Sequence, residues 1–303
     1  MPEIPHTPKN VSNLSGNTRT RRDASGRTLY DSEVMTAHSP FPQVSWERLH
    51  VGVGTVIHPS ARICGPDGGP ATSIRIGDHA YIGEGVQIRC RDFAIGDHGR
   101  VHQFTTIHGY KPCTIGHNAW IGQFSLIDSI GGVSIGDNCG IGAHSQLWSH
   151  IKFGDTLAGC RFNSARPLTV GRDVWFVGHC IVSPITAADQ SMAMVGSVVT
   201  KDMEANTIYA GVPAQSISSK IGPQFEEVSA ADRVSRMLEY AKQAGVADHV
   251  VILRHPSEAS DRELGDKSAF FVQTRTYTKR GTATEVAFMK FLLPERAKFV
   301  PAV

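Results

Sequence analysis

Fourteen histidines are spread over the 303-residue chain, and one of them stands where chemistry is expected. His150 lies in Trp148-Ser-His150-Ile-Lys-Phe-Gly-Asp155, at the mouth of an irregular segment that runs to about Pro167. An imidazole with an unperturbed pKa of ~6.5 takes up and releases protons near neutrality. As a general base such a group is typically worth ~10²–10⁴ in rate. His144 is the reserve candidate. Asp155 reads either as an orienting partner for the imidazole or as a solvated loop carboxylate. Trp148 is either a stacking platform for a bound ring or a cover over an apolar edge. Six cysteines (64, 90, 113, 139, 160 and 180) stand singly with no CxxC pair. They read as reduced thiols in small core positions, not as zinc or redox groups.

These residues need a frame, and the frame is a repeat. From about residue 51 an aliphatic side chain returns every six residues: Ile76, Ile82 and Ile88, then Ile95, Val101 and Ile107. Ile115, Ile121 and Ile127 follow, then Ile135, Ile141 and Leu147. Glycine repeatedly comes next (77, 83, 96, 116, 122, 136, 142 and 171), where it is expected to ease strain at a corner. The fourth residue after the aliphatic one is small or β-branched: Ala61, Ala80, Val86, Gly99, Thr105, Ala119, Ser125, Cys139, Ser145, Val174, Cys180, Ser197 and Val212. Three hexads make one coil of a triangular prism of short parallel strands, with the aliphatic residue inside and the small one at the turn. One coil cannot bury its own face, so stacked coils supply the core. The beat stops after Leu147 and resumes at Val170, and a long excursion from one corner of a solenoid is a usual place for a binding wall.

The pattern Ile-Gly-x-x-small-x over residues 51–222 resembles the hexapeptide-repeat acyltransferases, built on a left-handed parallel β-helix. The resemblance is sharpest in Gly196-Ser-Val-Val-Thr-Lys-Asp and Asn206-Thr-Ile-Tyr-Ala-Gly-Val-Pro-Ala214. That stretch is similar to the closing coil of the sugar and xenobiotic O-acetyltransferase branch. The resemblance implies that His150 is the general base for transfer of an acetyl group from acetyl-CoA to a hydroxyl of a sugar, glycan or similar small molecule. It implies a homotrimer with active sites between subunits, and CoA in the groove between neighbouring helices. Carried over by position, Gly178 passes the pantetheine arm and Val195 takes a place often held by alanine. Thr200 and Lys201 meet the CoA backbone or phosphates, and Gly211 and Pro213 lie by the adenine. The chain departs from the pattern at Gln215 and Ser218, where relatives commonly carry Lys or Arg, and at Trp175-Phe-Val177 in place of Trp-Ile-Gly.

Composition excludes other classes. A net charge of +2 is too small for a nucleic-acid binder, and 41% hydrophobic residues exclude wholesale disorder. No run approaches the 18 or more apolar residues of a membrane span and no secretory signal is visible, so a cytoplasmic protein is expected. The expected class is all-β, with residues 1–46 a poorly ordered arm carrying the basic cluster Arg19, Arg21 and Arg22, and 47–222 the β-helix. Residues 223–303 are expected as a small α/β extension capping its open end. In that extension a helix is predicted over 229–244 and strands over 249–254 and 269–276. The capping box Thr282-Ala-Thr-Glu285 should open a helix that Pro294 stops. Arg275, Tyr277, Lys279 and Arg280 read as a basic turn, either solvated or facing an anionic acceptor or a neighbouring subunit. N-acetylation of an amino sugar uses the same base and donor. A metal-dependent lyase resembling γ-type carbonic anhydrase shares the scaffold, with His108 and Ile115-Gly-His117 similar to its ligands. Gln123 and Asp128 stand where its later histidines are expected, so no metal is expected here. A non-catalytic β-helical assembly protein is the third class.

Overall fold

In Cys113–Ile115 and Val133–Ile135 the outer two residues are buried and the middle one exposed, the alternation that turns the hexad beat into strands. The computed structural model describes residues 20–22, 28–31, 43–259 and 264–302. Its short strands stack into three parallel walls. The first runs from Trp46–Val51 to Thr186–Ala187, the second from Val56–Ile57 to Ile208–Gly211, and the third from Arg62–Cys64 to Val198–Val199. Each coil visits them in that order. On the third wall the register aligns Ile63, Ile88, Ile107, Ile127, Leu147, Val182 and Val199 in one column. All seven are buried, each worth about 1.5–3 kcal/mol relative to exposure. With the columns of the other walls they form a single core, the interior of the expected left-handed parallel β-helix.

The corners obey a different rule from the one expected of the sequence. The glycines after the aliphatic residue do not relieve strain; they let successive coils touch. A Cβ on Gly77 would stand 2.4 Å from the backbone nitrogen of Asp97, and one on Gly142 would stand 1.9 Å from the Val177 carbonyl. Positive φ falls two residues later, on His79, His98, Asn118, Asn138 and Asp173 at the first corner and on Phe104, Phe124, His144 and His179 at the second. The small residues are buried as expected, except Val212, which is exposed on a hairpin beyond the last full hexad.

At the first corner the third hexad residue ties coil to coil. Asp97 Oδ1 accepts from Asp78 N (2.8 Å), His117 Nδ1 from Asp97 N (2.9 Å) and Asp137 Oδ1 from His117 N (2.7 Å). Each side chain satisfies a corner amide that no strand partner reaches. Burial pushes the Cys90 and Cys139 thiols up to about 12, which fits core filling and not nucleophilic chemistry.

Two strands of the amino-terminal arm, Thr20–Arg22 and Thr28–Asp31, extend the first wall as an antiparallel pair on Trp46–Val51. Most of the arm expected to be poorly ordered, including Arg19, lies outside the described residues.

The extension forms the predicted elements. Ser229 caps the helix Ala230–Gln243, and Thr282 accepts from Glu285 N to open Ala283–Leu292. A four-stranded sheet packs on them around Phe270, Phe288 and Phe299. Its placement differs from expectation: it lies along the first corner across successive coils. Lys279 Nζ reaches Asp78 at 2.5 Å and Asp97 at 2.6 Å, and Arg275 forks onto Asp173 at 2.7 and 2.9 Å. Further along, Asn118 donates to the Phe299 carbonyl and Lys298 to that of Asn138. Arg275 and Lys279 of the basic turn are therefore neither solvated nor free for an acceptor, because the corner's acidic ladder is their counterpart, whereas Arg280 is exposed. Tyr277 is buried in the extension core.

Candidate active site at the third corner

The third corner carries His150. Leu147 closes its hexad inside the prism, and the chain then runs out through Trp148, Ser149 and His150 into a hairpin of Ile151–Lys152 paired with Asn163–Ser164. One coil earlier, Asp128 follows Ile127 and is fully buried. Its Oδ1 accepts from Ser149 N (3.2 Å), from Ser149 Oγ (2.9 Å) and from His150 Nδ1 (2.8 Å). With Nδ1 assigned as the donor, Nε2 is left as the basic nitrogen. The His150 side chain is 19% exposed, enough to reach a substrate while its partner is dry. Asp128 Oδ2 is buried without a hydrogen bond, and His108 Nε2 stands 3.8 Å from it. One carboxylate thus sits between two imidazoles.

Close packing sets this geometry. Ser149 Oγ also accepts from Gly131 N at 2.8 Å. A Cβ on Gly131 would fall 2.0 Å from the Ser149 carbonyl oxygen, so only glycine lets the two coils close behind the pair. The return leg of the excursion is staked by Arg166, whose Nη2 donates to both carboxylate oxygens of Asp202 at 2.9 and 3.0 Å.

Asp155 is not the orienting partner of the imidazole. Its carboxylate accepts from Ala158 N (3.0 Å) within its own turn. Asp128 is the orienting partner, and in the sequence it stands out only as a place where a histidine is lacking. The Trp148 ring lies 6.2 Å from that of His150 between centroids, tilted by 57°. His144 is at the second corner, stacked between Phe124 and His179. His108 and His117 lie apart, on the third wall and at the first corner, and no three His, Cys, Asp or Glu side chains gather as a metal site among the described residues.

The residues read as CoA contacts fall on two edges. Gly178 and Val195 follow one another along the second corner, linked by Gly196 N to the Gly178 carbonyl (3.0 Å), and Gly211 and Pro213 continue that line on the closing hairpin. Thr200 and Lys201 are exposed at the third corner, beside Asp202. Within one chain the third wall separates the two sets.

No family model matches the chain. Galactoside O-acetyltransferase of Escherichia coli (strain K12) is 42% identical over 52 residues, 17% of this chain and 26% of that protein. The chain thus matches about a quarter of that relative's length. Among solved structures, a maltose O-acetyltransferase from Clostridium difficile 630 aligns over 52% of this chain and 70% of its own, at 20% identity and a TM-score of 0.31. AntD, an N-acyltransferase from Bacillus cereus, aligns over 64% of this chain and 90% of its own, at 16% identity and a TM-score of 0.37. The match to the galactoside enzyme is thus a local likeness to a sugar O-acetyltransferase, on a chain whose coil-by-coil register is that of a left-handed parallel β-helix.

Proposed function

We propose that the protein is an acetyl-CoA-dependent O-acetyltransferase acting on a hydroxyl of a sugar, glycan or similar small molecule, with His150 as general base. The observation that carries the reading is the Asp128–His150 pair at the mouth of the excursion, with Nε2 free of the carboxylate. Acetyl-CoA supplies a thioester, whose carbonyl carbon takes the acceptor oxygen while sulfur leaves. His150 Nε2 removes the hydroxyl proton as oxygen attacks, then gives it to the departing sulfur. Asp128 stabilises the imidazolium in between. Along the second-corner line Val195 and Gly211 are exposed, and a Cβ on Gly211 would meet only the Pro213 carbonyl at 3.8 Å, which leaves room for a pantetheine arm, while Gly178 is buried. Lys201 is exposed where a phosphate would meet a point charge.

The split of these contacts over two edges supports a groove between copies in a homotrimer, one chain offering its second corner and its neighbour the third. Phe153, Leu157 and Phe162 on the excursion and Phe104 and Phe124 at the second corner are exposed apolar groups that such an assembly would cover.

The test is an acceptor screen with labelled acetyl-CoA over sugars, amino sugars, nucleotide sugars and small glycans. His150→Gln should lower turnover by ~10²–10⁴ with an unchanged melting temperature and unchanged mass in solution. Wild-type turnover in that variant moves the base elsewhere.

A further inference from the structure

The extension and the first corner enclose a cavity of about 580 Å³ that the reaction above does not use. It lies against Gln190 and Asn206, at a different corner of the prism from His150. Pockets of ~300–1,000 Å³ are of the size that takes small organic molecules. Five cationic side chains line it, against two carboxylates.

The cations are not equivalent. Arg275 is spent on Asp173, and Arg296 lies 4.2 Å over the Phe291 ring and donates to the Phe291 carbonyl. Arg233, Arg236 and Lys298 remain. Arg233 has one long contact, 3.4 Å, to the Val272 carbonyl, and Lys298 gives one bond to the Asn138 carbonyl. No carboxylate pairs with any of these three among the described residues. Burial depresses the Lys298 ammonium, against the opposing pull of the Asp173 carboxylate that Arg275 already holds. The two carboxylates, Glu226 and Glu227, are exposed at the rim.

The helix Ala230–Gln243 turns a partly basic face to this space. Arg233, Arg236, Met237 and Tyr240 follow the i, i+3, i+4, i+7 spacing of one helix face; Met237 is buried, Arg233 and Tyr240 are half-buried and Arg236 is exposed at the rim. Tyr240, Phe225 and Phe299 give the cavity flat apolar surface beside the guanidinium groups. Guanidinium forks match phosphate and carboxylate oxygens in pairs, and the apolar surface suits a ring.

We propose that this cavity is a binding site for a small organic anion, a phosphate or carboxylate carried on a planar ring. Arg233, Arg236 and Lys298 hold the anionic group, and the ring lies against Tyr240. The site joins the extension to the β-helix, since Lys298 and Phe299 are also the residues bonded to Asn138 and Asn118.

Calorimetric titration of the full chain tests it, with phenyl phosphate, benzoate and inorganic phosphate as probes. Phenyl phosphate or benzoate should bind at about millimolar or better, and more tightly than inorganic phosphate. The first probe winning marks a phosphorylated ligand, the second a carboxylated one. Arg233→Gln and Arg236→Gln should each weaken binding about tenfold or more, and saturating CoA should leave it unchanged. No binding of either ring probe at about 10 mM, undiminished binding in the double variant, or displacement by CoA overturns the proposal. Lys201→Gln serves as control and should bind the probes as the wild type does.

Discussion

At the scale of single residues, Asp128 is the group on which the proposed reaction turns. Three donors converge on its Oδ1, while Oδ2 faces His108 at 3.8 Å. Such a carboxylate fixes both the tautomer and the direction of His150, the part an aspartate plays behind a catalytic histidine. Asp128→Asn keeps the size and can still accept from Ser149, but it cannot offset the charge of an imidazolium. Turnover should fall by ~10²–10⁴, with the KM for acetyl-CoA nearly unchanged and the fold intact by circular dichroism. Wild-type turnover in the variant shows that His150 draws nothing from Asp128. A large rise in KM alone assigns the carboxylate to binding.

At the scale of elements, the extension is clasped to the β-helix by charges that a reader of the sequence would leave in water. Lys279 stands between Asp78 and Asp97 and is largely shielded, and burial would lower its charge were the two carboxylates not raising it. Lys279→Met leaves two neighbouring, shielded carboxylates without a counterion, which should cost about 2–4 kcal/mol in chemical denaturation. Adding Asp97→Asn should recover part of the loss; no recovery would mean that lost packing, not charge, is responsible. The hexads, the excursion and both extension helices are legible in the sequence because their signals are local, six residues or one helical turn apart. The Asp128–His150 bond joins residues 22 apart and the Lys279–Asp97 pair residues 182 apart. Only stacking decides which coil meets which, so position 128 reads as a missing histidine and 275–280 as a solvated turn. The glycines stand out in the sequence but their cause does not: a close approach between coils looks the same there as a strained φ.

At the scale of the whole molecule, the first corner couples stability to pH, because acid-sensitive groups are buried where the two parts of the chain meet. His98 is 6% exposed, stacked on His79 at 5.3 Å, and burial, then the neighbouring His79, pushes it down to about 4. An unfolded histidine titrates near ~6.5. As pH falls below that value, the unfolded chain gains a proton that folded His98 refuses. Its contribution is therefore fully present above ~6.5 and is lost progressively toward about 4, by at most about 3 kcal/mol. For Asp78, burial works to raise the carboxyl, but the hydrogen bond and charge of Lys279 outweigh it and hold it below the usual range. Its contribution is lost at lower pH still, as acid protonates it, so the two effects run in the same direction in sequence. The corner itself supplies a control. Asn118 and Asn138 occupy the place of His98 in the next two coils with the same positive φ, and asparagine tolerates that conformation. His98→Asn should leave stability at pH 7 within about 1 kcal/mol and flatten its decline between pH ~6.5 and ~4. Denaturation across that range measures both slopes. An equally steep decline in the variant would show that the acid sensitivity does not come from His98.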